Sequence, residues 1–299
     1  MQQPTNRHQK SYDLLDLQQG SQEWLEVRKD KIGASDAPVI MCVSPWKTPF
    51  QLWESKVKGG GQNVTTQAMQ RGISMEPEIR RAHESATGKR FLPVVAQSIE
   101  YPWMIASLDG LSEDMTSAIE IKCAGKNDHD HAKSGLVPDH YLPQLQHQMF
   151  VCGLDSITYV SCSHNDINDI VSIRVVRDDE YIEEMLRAEE CFYSCLKNKK
   201  APEYLDADFI EHVDTDWLVC ANEWRRLKGL LSIYEQQEKS MRALLIKKSE
   251  GHNCKGGGVR LSHLVRKGVV KYDRIPELHG VDLEQYRGDS TDYWKIEEI

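Results

Sequence analysis

Two short runs in mid-chain limit what this sequence can fold into. Met104 to Asp109 and Ala118 to Cys123 read as strands joined by a polar connection with Gly110, Ser112 and Asp114, a hairpin signal. The second run is Ala118-Ile119-Glu120-Ile121-Lys122-Cys123. Successive strand side chains point to opposite faces, so Glu120 and Lys122 share one face while Ile119 and Ile121 enter a core on the other. The hairpin folds Asp109 back beside them. The chain must therefore build a sheet that tolerates two carboxylates and an ammonium converging on one point.

Around this hairpin the pattern is that of an α/β (α+β) domain. Helices are expected at Gln22 to Lys29, from a start capped by Ser35, at Thr48 to Val57, and at Thr65 to Thr87, where Gly88 stops the last. Strand-like Phe91 to Glu100 precedes the hairpin. A helix from about His140 to Cys152, strands near Ser156 to Cys162 and Asp169 to Val176, and a helix from Asp178 to about Lys197 follow. Helices before and after a mixed central sheet close a first domain at 1–200. Pro202 and the acidic stretch after it read as a linker into a second module, 201–299. There, Trp217, Cys220, Trp224, Leu227, Leu231, Tyr234, Met241 and Leu245 form a heptad-like stripe on a long helix. The stripe is expected to pack against its own hairpin, read as Val259 to Val265 and Val269 to Arg274, or against another subunit. The chain closes on Tyr293 to Ile296, and the glycine runs Gly59 to Gly61 and Gly256 to Gly258 read as loop tips.

With 299 residues, 40% hydrophobic and 28% charged, the chain can bury one large core or two modest ones without staples. No run approaches the roughly 18 apolar residues of a membrane span, and Met1 to Lys10 lacks the apolar centre of a signal peptide, so a cytoplasmic location and no membrane partner are expected. The eight cysteines form no Cys-x-x-Cys pair and read as reduced thiols. A net charge of -9 argues at first against nucleic acid. From Asp178 to Asp216, however, 13 acidic residues face four basic ones, so the remainder sums to zero, and Arg242 to Arg274 carries nine basic residues against two acidic. Only a uniformly basic binder is excluded.

Two carboxylates held close together repel, and burial raises the cost, unless a divalent cation neutralises them. A hard cation such as magnesium suits oxygen ligands, with the Ile121 carbonyl as a further one. Lys122 can then deprotonate or orient a water and stabilise charge on phosphorus, the chemistry of phosphodiester hydrolysis. Spacing alone more often describes an exposed hairpin with a Glu-Lys pair. His129, His131, His140 and His147 invite a zinc reading, but they lie in a loop and an exposed helix without a matching cysteine pair.

Asp109, ten intervening residues, Glu120, one residue and Lys122 form the PD-(D/E)xK pattern. With Trp24-x-x-x-Arg28, Gly33-x-Ser35, Gly72-x-x-x-Glu76, Ser107-x-Asp109-Gly110, Glu120-x-Lys122-Cys123 and Tyr141-x-x-Gln144-x-Gln146 in one order, residues 20–180 resemble the bacteriophage lambda exonuclease family, including the YqaJ-type viral recombinase nucleases. Leu108 stands where a proline is frequent, and proline is no ligand.

The resemblance implies a restriction-endonuclease-like sheet flanked by helices. It implies that Asp109, Glu120 and Glu76 hold the metal, magnesium with manganese as a substitute, and that Lys122 assists the attacking water. Arg28, Ser35, Ser107 and Gln144 would form a pocket for a terminal 5'-phosphate, with Trp24 packed beneath Arg28 and Tyr141 and Gln146 in support. The implied activity is 5'-to-3' degradation of one strand from double-stranded DNA ends, in a homotrimeric ring beside a single-strand annealing protein of phage or prophage recombination, in a bacterial host. The alternatives are a related endonuclease, a nuclease trimming single strands, or a non-catalytic DNA-binding assembly protein. The C-terminal module would enlarge the ring, contact DNA or dock the partner.

Overall fold

Local caps set where the helices of this protein begin, and long-range pairing sets its strands. A computed structural model describes residues 11–58, 66–163, 166–281, 283–286 and 288. In chain order the elements are β1 (Tyr12–Leu15), α1 (Gln22–Lys29), β2 (Ile32–Gly33), α2 (Ala37–Ile40), α3 (Pro49–Val57), α4 (Gln67–Thr87), β3 (Phe91–Ser98), β4 (Met104–Ser112), β5 (Ala118–Ala124), α5 (Lys126–Lys133) and α6 (Leu142–Cys152). They continue with β6 (Ser156–Ser163), β7 (Asp166–Val176), α7 (Asp179–Lys197), α8 (Thr215–Lys248), β8 (Cys254–Gly256) and β9 (Val259–Leu261). Two compact units result, Met1–Ile210 and Glu211–Ile299.

In the first unit the strands run β1-β3-β4-β5-β6-β7, with β2 added in parallel against β4. β5 and β6 are parallel and the other neighbours antiparallel, so this is the expected mixed sheet flanked by helices. A parallel pair needs a long crossover, and α5 and α6 supply it. One face carries Leu145 and Met149 of α6 against Ala118, Ile157 and Tyr159. On the other, Ile79 of α4 packs with Phe91, Ile119, Ile121, Val160 and Cys162. Ile119 and Ile121 thus enter the α4 side, leaving Glu120 and Lys122 to α6.

The helix starts follow the side-chain caps. Ser21, Thr48, Thr66 and Asp178 each accept from a backbone N–H in the first turn of α1, α3, α4 and α7. Gly88 and Gly153, with φ of 69° and 63°, end α4 and α6 in the left-handed region that glycine adopts freely. The start expected to be capped by Ser35 is built differently. Ala34–Asp36 is a 3-10 turn, and Asp36 Oδ2 reaches back to accept from Gly33 N at 2.9 Å.

His129 and His131 lie in α5, a helix and not a loop. The helix bearing His147 is buried, not exposed, because its polar side chains find partners inside. His147 itself is fully enclosed, Nδ1 2.8 Å from Glu189 Oε1 on α7 and Nε2 3.0 Å from the Ile105 carbonyl on β4.

The second unit contains the long helix, 34 residues capped by Asp214, and no residue of it is buried. Among the described residues, its stripe therefore forms no buried seam with its own hairpin. That hairpin also lies elsewhere than the sequence suggests: β8 pairs with β9 across Gly257 and Gly258, both at positive φ, so the glycine run is the turn itself. Val259–Leu261 keeps the start of the expected first strand, and Tyr272–Arg274 is a 3-10 turn. Residues 59–65 and 291–299, with the expected loop tip and Tyr293 to Ile296, lie outside the described residues.

Candidate active site

The β4–β5 ladder is short. Leu111 pairs with Ala118 and Gly110 with Ile119, and one step further the carboxylate of Asp109 replaces a backbone partner: its Oδ2 accepts from Ile121 N at 2.7 Å. Gly110 makes this approach feasible, since a Cβ there would lie 2.6 Å from Phe91 Cβ and 2.8 Å from Ile119 Cγ1. Glu120 follows opposite Asp109, 3% exposed. Its Oε1 accepts from Lys122 Nζ at 2.6 Å and Gln144 Nε2 at 2.5 Å, and its Oε2 from Gln148 Nε2 at 2.6 Å. Lys122 Nζ also donates to Gln144 Oε1 at 3.0 Å and stands 5.3 Å from the centre of the Tyr141 ring. Glu76, on α4, accepts from Arg80 one turn on.

These groups feel one another's charge. Burial, then the charges of Glu120 and Glu76, push Asp109 well above the usual carboxylate range. Burial also raises Glu76, with Glu120 adding to the shift and Arg80 opposing it. Burial works against the Lys122 ammonium, but the carboxylates of Glu120 and Asp109 outweigh it and hold its pKa above the ordinary lysine value.

A second cluster adjoins the first. Arg28 Nη2 donates to Ser35 Oγ at 2.8 Å, and the guanidinium lies 4.5 Å over the Trp24 ring, whose Nε1 donates to Ser107 Oγ at 2.9 Å. Beneath it, buried Asp36 is 3.4 Å from Arg28 and 2.9 Å from Lys56 Nζ. Burial would raise the Asp36 pKa; the charges of Lys56 and Arg28 and the Gly33 N–H hold it down to about 2. Lys56 Nζ also donates to the carbonyls of Arg28 and Lys31, which fixes the end of α1. Gly33 is needed for contact: its missing Cβ would sit 3.2 Å from Arg28 Nη2.

Gln148 links the clusters. Its Nε2 donates to the Ser107 carbonyl at 3.1 Å as well as to Glu120. Of the residues expected from sequence, Glu120, Lys122 and Gln144 meet directly, Asp109 joins through Ile121 N and its charge, Glu76 through its charge, and Arg28, Ser35 and Ser107 gather about Trp24. Gln146 points away, bonded to Val176 O and Asp178 N. Sequence reasoning missed Gln148, Asp36 and Lys56; only the four-residue step from Gln144 to Gln148 could have flagged one of them.

Residues 23–155 match the YqaJ-like viral recombinase domain family. The matched segment contains every residue of both clusters. The uncharacterised protein YqaJ of Bacillus subtilis (strain 168) is 28% identical over 178 residues, 58% of this chain and 55% of that protein, so this chain spans about half the length of that relative. Among solved structures, an alkaline exonuclease, LHK-Exo, from Laribacter hongkongensis is 27% identical with a TM-score of 0.53, over 60% of this chain and 94% of that one. LHK-Exo in complex with dAMP gives 0.54 over the same shares at 27% identity. The family resemblance read from the sequence motifs is thereby borne out.

A metal is implied by that resemblance, and the chemistry of the donors in this cluster fits one. Three carboxylates and a backbone carbonyl are hard oxygen donors, and burial with the charges of Glu120 and Glu76 raises Asp109 against the opposing charge of Lys122. The Gln148 Oε1 beside them is buried without a hydrogen-bond partner. Among the described residues no group of three or more His, Cys, Asp or Glu side chains is placed so as to hold a metal ion as it stands. Glu76 is engaged by Arg80, and Glu120 by three N–H donors.

Proposed function

We propose that this chain is a metal-dependent deoxyribonuclease, a 5'-to-3' exonuclease that removes nucleotides from one strand of linear double-stranded DNA at 5'-phosphorylated ends. The carrying observation is the joining of the Asp109–Glu120–Lys122 cluster to the Arg28–Ser35 cluster through Gln148 and Ser107. The match to a viral recombinase domain family and the likeness to an alkaline exonuclease support the reading.

Glu76, Asp109, Glu120 and the Ile121 carbonyl would hold magnesium, with manganese as a substitute. Such an ion supplies Lewis-acid activation of phosphate and water. Arg28 offers a planar fork to the terminal phosphate, Ser35 and Ser107 offer hydroxyls, and Asp36 keeps the guanidinium oriented. Gln144 turns between Glu120 and Lys122 and fixes both. As an ammonium, Lys122 stabilises charge growing on the phosphoryl oxygens and orients the attacking water by donating to it. End recognition of this kind reads a phosphate, not a base sequence. The reading extends to a ring-shaped homotrimer working beside a single-strand annealing protein in phage or prophage recombination.

The test is digestion of linear duplexes with and without a 5'-phosphate, in magnesium and in chelator, by the wild type, Lys122→Ala and Arg28→Ala. Expected are loss of cleavage in chelator and with Lys122→Ala, and a preference for phosphorylated ends that Arg28→Ala abolishes. Equal cutting of circular DNA would point to the endonuclease alternative. Full activity of Lys122→Ala would overturn the mechanism.

A further inference from the structure

Trp46 lies in the connection between α2 and α3 and is 64% exposed, unusual for so large an apolar ring. Its place is nevertheless fixed. Cys42 adopts φ 57°, a left-handed conformation costly for a residue with a Cβ. Val43 N and Ser44 N both donate to the Pro38 carbonyl, and Trp46 N donates to Ser44 Oγ at 3.3 Å. On the far side Thr48 caps α3 and its hydroxyl donates to Asp208.

The inner edge of Trp46 rests on the active site. Its ring meets His140 at right angles, centroids 4.9 Å apart, and lies 6.3 Å from Tyr141. Tyr141 in turn lies 5.3 Å from Lys122 Nζ and 5.7 Å from the buried Tyr159 ring. Asp128 of α5 holds this support: its Oδ2 accepts from Tyr141 OH at 3.3 Å and is 3.4 Å from His140 Nε2. An aromatic series therefore runs outward from Tyr159 through Tyr141, the ring that neighbours the Lys122 ammonium, to Trp46, whose ring is left open to solvent.

We propose that Trp46 is a stacking platform for a nucleobase of the strand being degraded, among the first nucleotides at its 5' end. This inference rests on the proposed function, because it names a substrate contact at that same site. A flat apolar ring, rigidly placed and uncovered at the rim of a phosphate-binding cleft, suits a base: every base has a π-face, so stacking adds affinity without sequence preference. Exposed Lys47, the next residue, adds positive charge where a backbone would pass. The platform also accounts for the rigid loop, since an indole whose only role was to cover His140 would not need to stand two-thirds in water.

The experiment compares wild type, Trp46→Ala and Trp46→Phe on 5'-phosphorylated linear duplexes, intact or with one abasic residue at the first, second or third position of the 5' strand. Trp46→Ala is expected to raise KM by roughly ten- to a hundredfold, with kcat much less affected, and Trp46→Phe to keep most of the affinity. The wild type pays the same penalty at one abasic position, and Trp46→Ala pays none in addition. An unchanged KM for Trp46→Ala, or an equal abasic penalty in both proteins, overturns the platform while wild-type cleavage leaves the nuclease reading standing. A wild type that neither binds nor degrades these duplexes overturns both. Unchanged unfolding midpoints for both variants assign the effect to binding.

Discussion

Gln148 and Glu120 face each other inside the first unit, Nε2 to Oε2 at 2.6 Å, and the same amide nitrogen holds the Ser107 carbonyl at 3.1 Å. Both N–H bonds of one fully buried side chain thus bind the carboxylate cluster to the strand that carries the Trp24 contact. A leucine there would leave two buried acceptors without donors, each costing about 1–3 kcal/mol. Gln148→Leu is expected to lower the unfolding midpoint and to reduce turnover by about tenfold or more. Gln148→Glu, which places a carboxylate against Glu120, should be worse. Denaturant titration together with steady-state cleavage decides this; wild-type values for Gln148→Leu on both would refute the linking role.

The guanidinium of Arg28 packs on Gly33 because nothing stands in its way. Gly33→Ala puts a methyl group 3.2 Å from Nη2 and 3.3 Å from Cζ. Gly33 has φ -92°, so backbone strain is not at issue and the methyl acts by contact alone. The variant is expected to fold with near-normal stability and to lose affinity for a terminal phosphate by roughly tenfold, the scale of one charge-assisted hydrogen bond. Competition by short 5'-phosphorylated and unphosphorylated duplexes measures it.

How far each part was legible follows from where its signal lies. Caps are local, so Thr48 and Asp178 announced α3 and α7 in the sequence. The two-step alternation of Ala118 to Cys123 announced which side Glu120 and Lys122 face. β2 has two residues and exists only by pairing Ile32 and Gly33 with Met104 and Ile105, a relation no window of sequence contains. α5, Lys-Asn-Asp-His-Asp-His-Ala-Lys, has no apolar period; buried His129 and Ala132 hold it in place. Asp36 and Lys56 pair across 20 positions, and such ion pairs carry no spacing rule. The glycine run is the tip of the second unit's hairpin, but Cys254–Gly256, the strand before it, is three residues long and too short to carry a visible alternation.

Asp36 couples the Arg28 cluster to acid. Its folded pKa, about 2, lies below the ordinary 3.8, so its contribution is present above the unfolded value and is lost as pH falls through the folded one. The shift corresponds to about 2 kcal/mol. Asp36→Asn is expected to remove that acid-sensitive part, flattening the stability profile between about pH 4 and pH 2, and to weaken phosphate-end preference by freeing Arg28. Chemical denaturation across that window is the measurement; identical slopes would count against the ion-pair account.

His147 poses the opposite dependence. Glu189 Oε1 and the Ile105 carbonyl are both acceptors, so each ring nitrogen must donate and the imidazole is held as a cation. Burial works against that charge, but Glu189 and the Ile105 carbonyl outweigh it and raise the pKa above the usual 6.5. The stabilisation is fully present below the unfolded pKa and is lost as pH rises through the higher folded value. Stability of the wild type should decline as pH rises above the ordinary 6.5. His147→Gln, with one donor nitrogen and no titration, should start lower and show a shallower decline. Denaturant midpoints from pH 6 to pH 9 check this, and parallel profiles would reject it.

Gly110 decides whether Asp109 can reach Ile121 N at all. An alanine Cβ would meet Phe91 Cβ at 2.6 Å and Ile119 Cγ1 at 2.8 Å, distances that side chains do not tolerate without movement. Phe91 Cβ is bound directly to its backbone, so it cannot swing away as a long side chain would. β3 or β5 must shift, and the Gly110–Ile119 pair is half of the short ladder that joins β4 to β5. Overpacking of this kind costs about 1–3 kcal/mol. Gly110→Ala is therefore expected to be destabilised and to lose most of its turnover even where it remains folded, since the Asp109 to Ile121 bond depends on that register. Replacing Gly72, where a Cβ would meet nothing within 4 Å, should avoid this packing penalty. Equal stability of Gly110→Ala and Gly72→Ala would show that the β4–β5 approach is looser than these distances require.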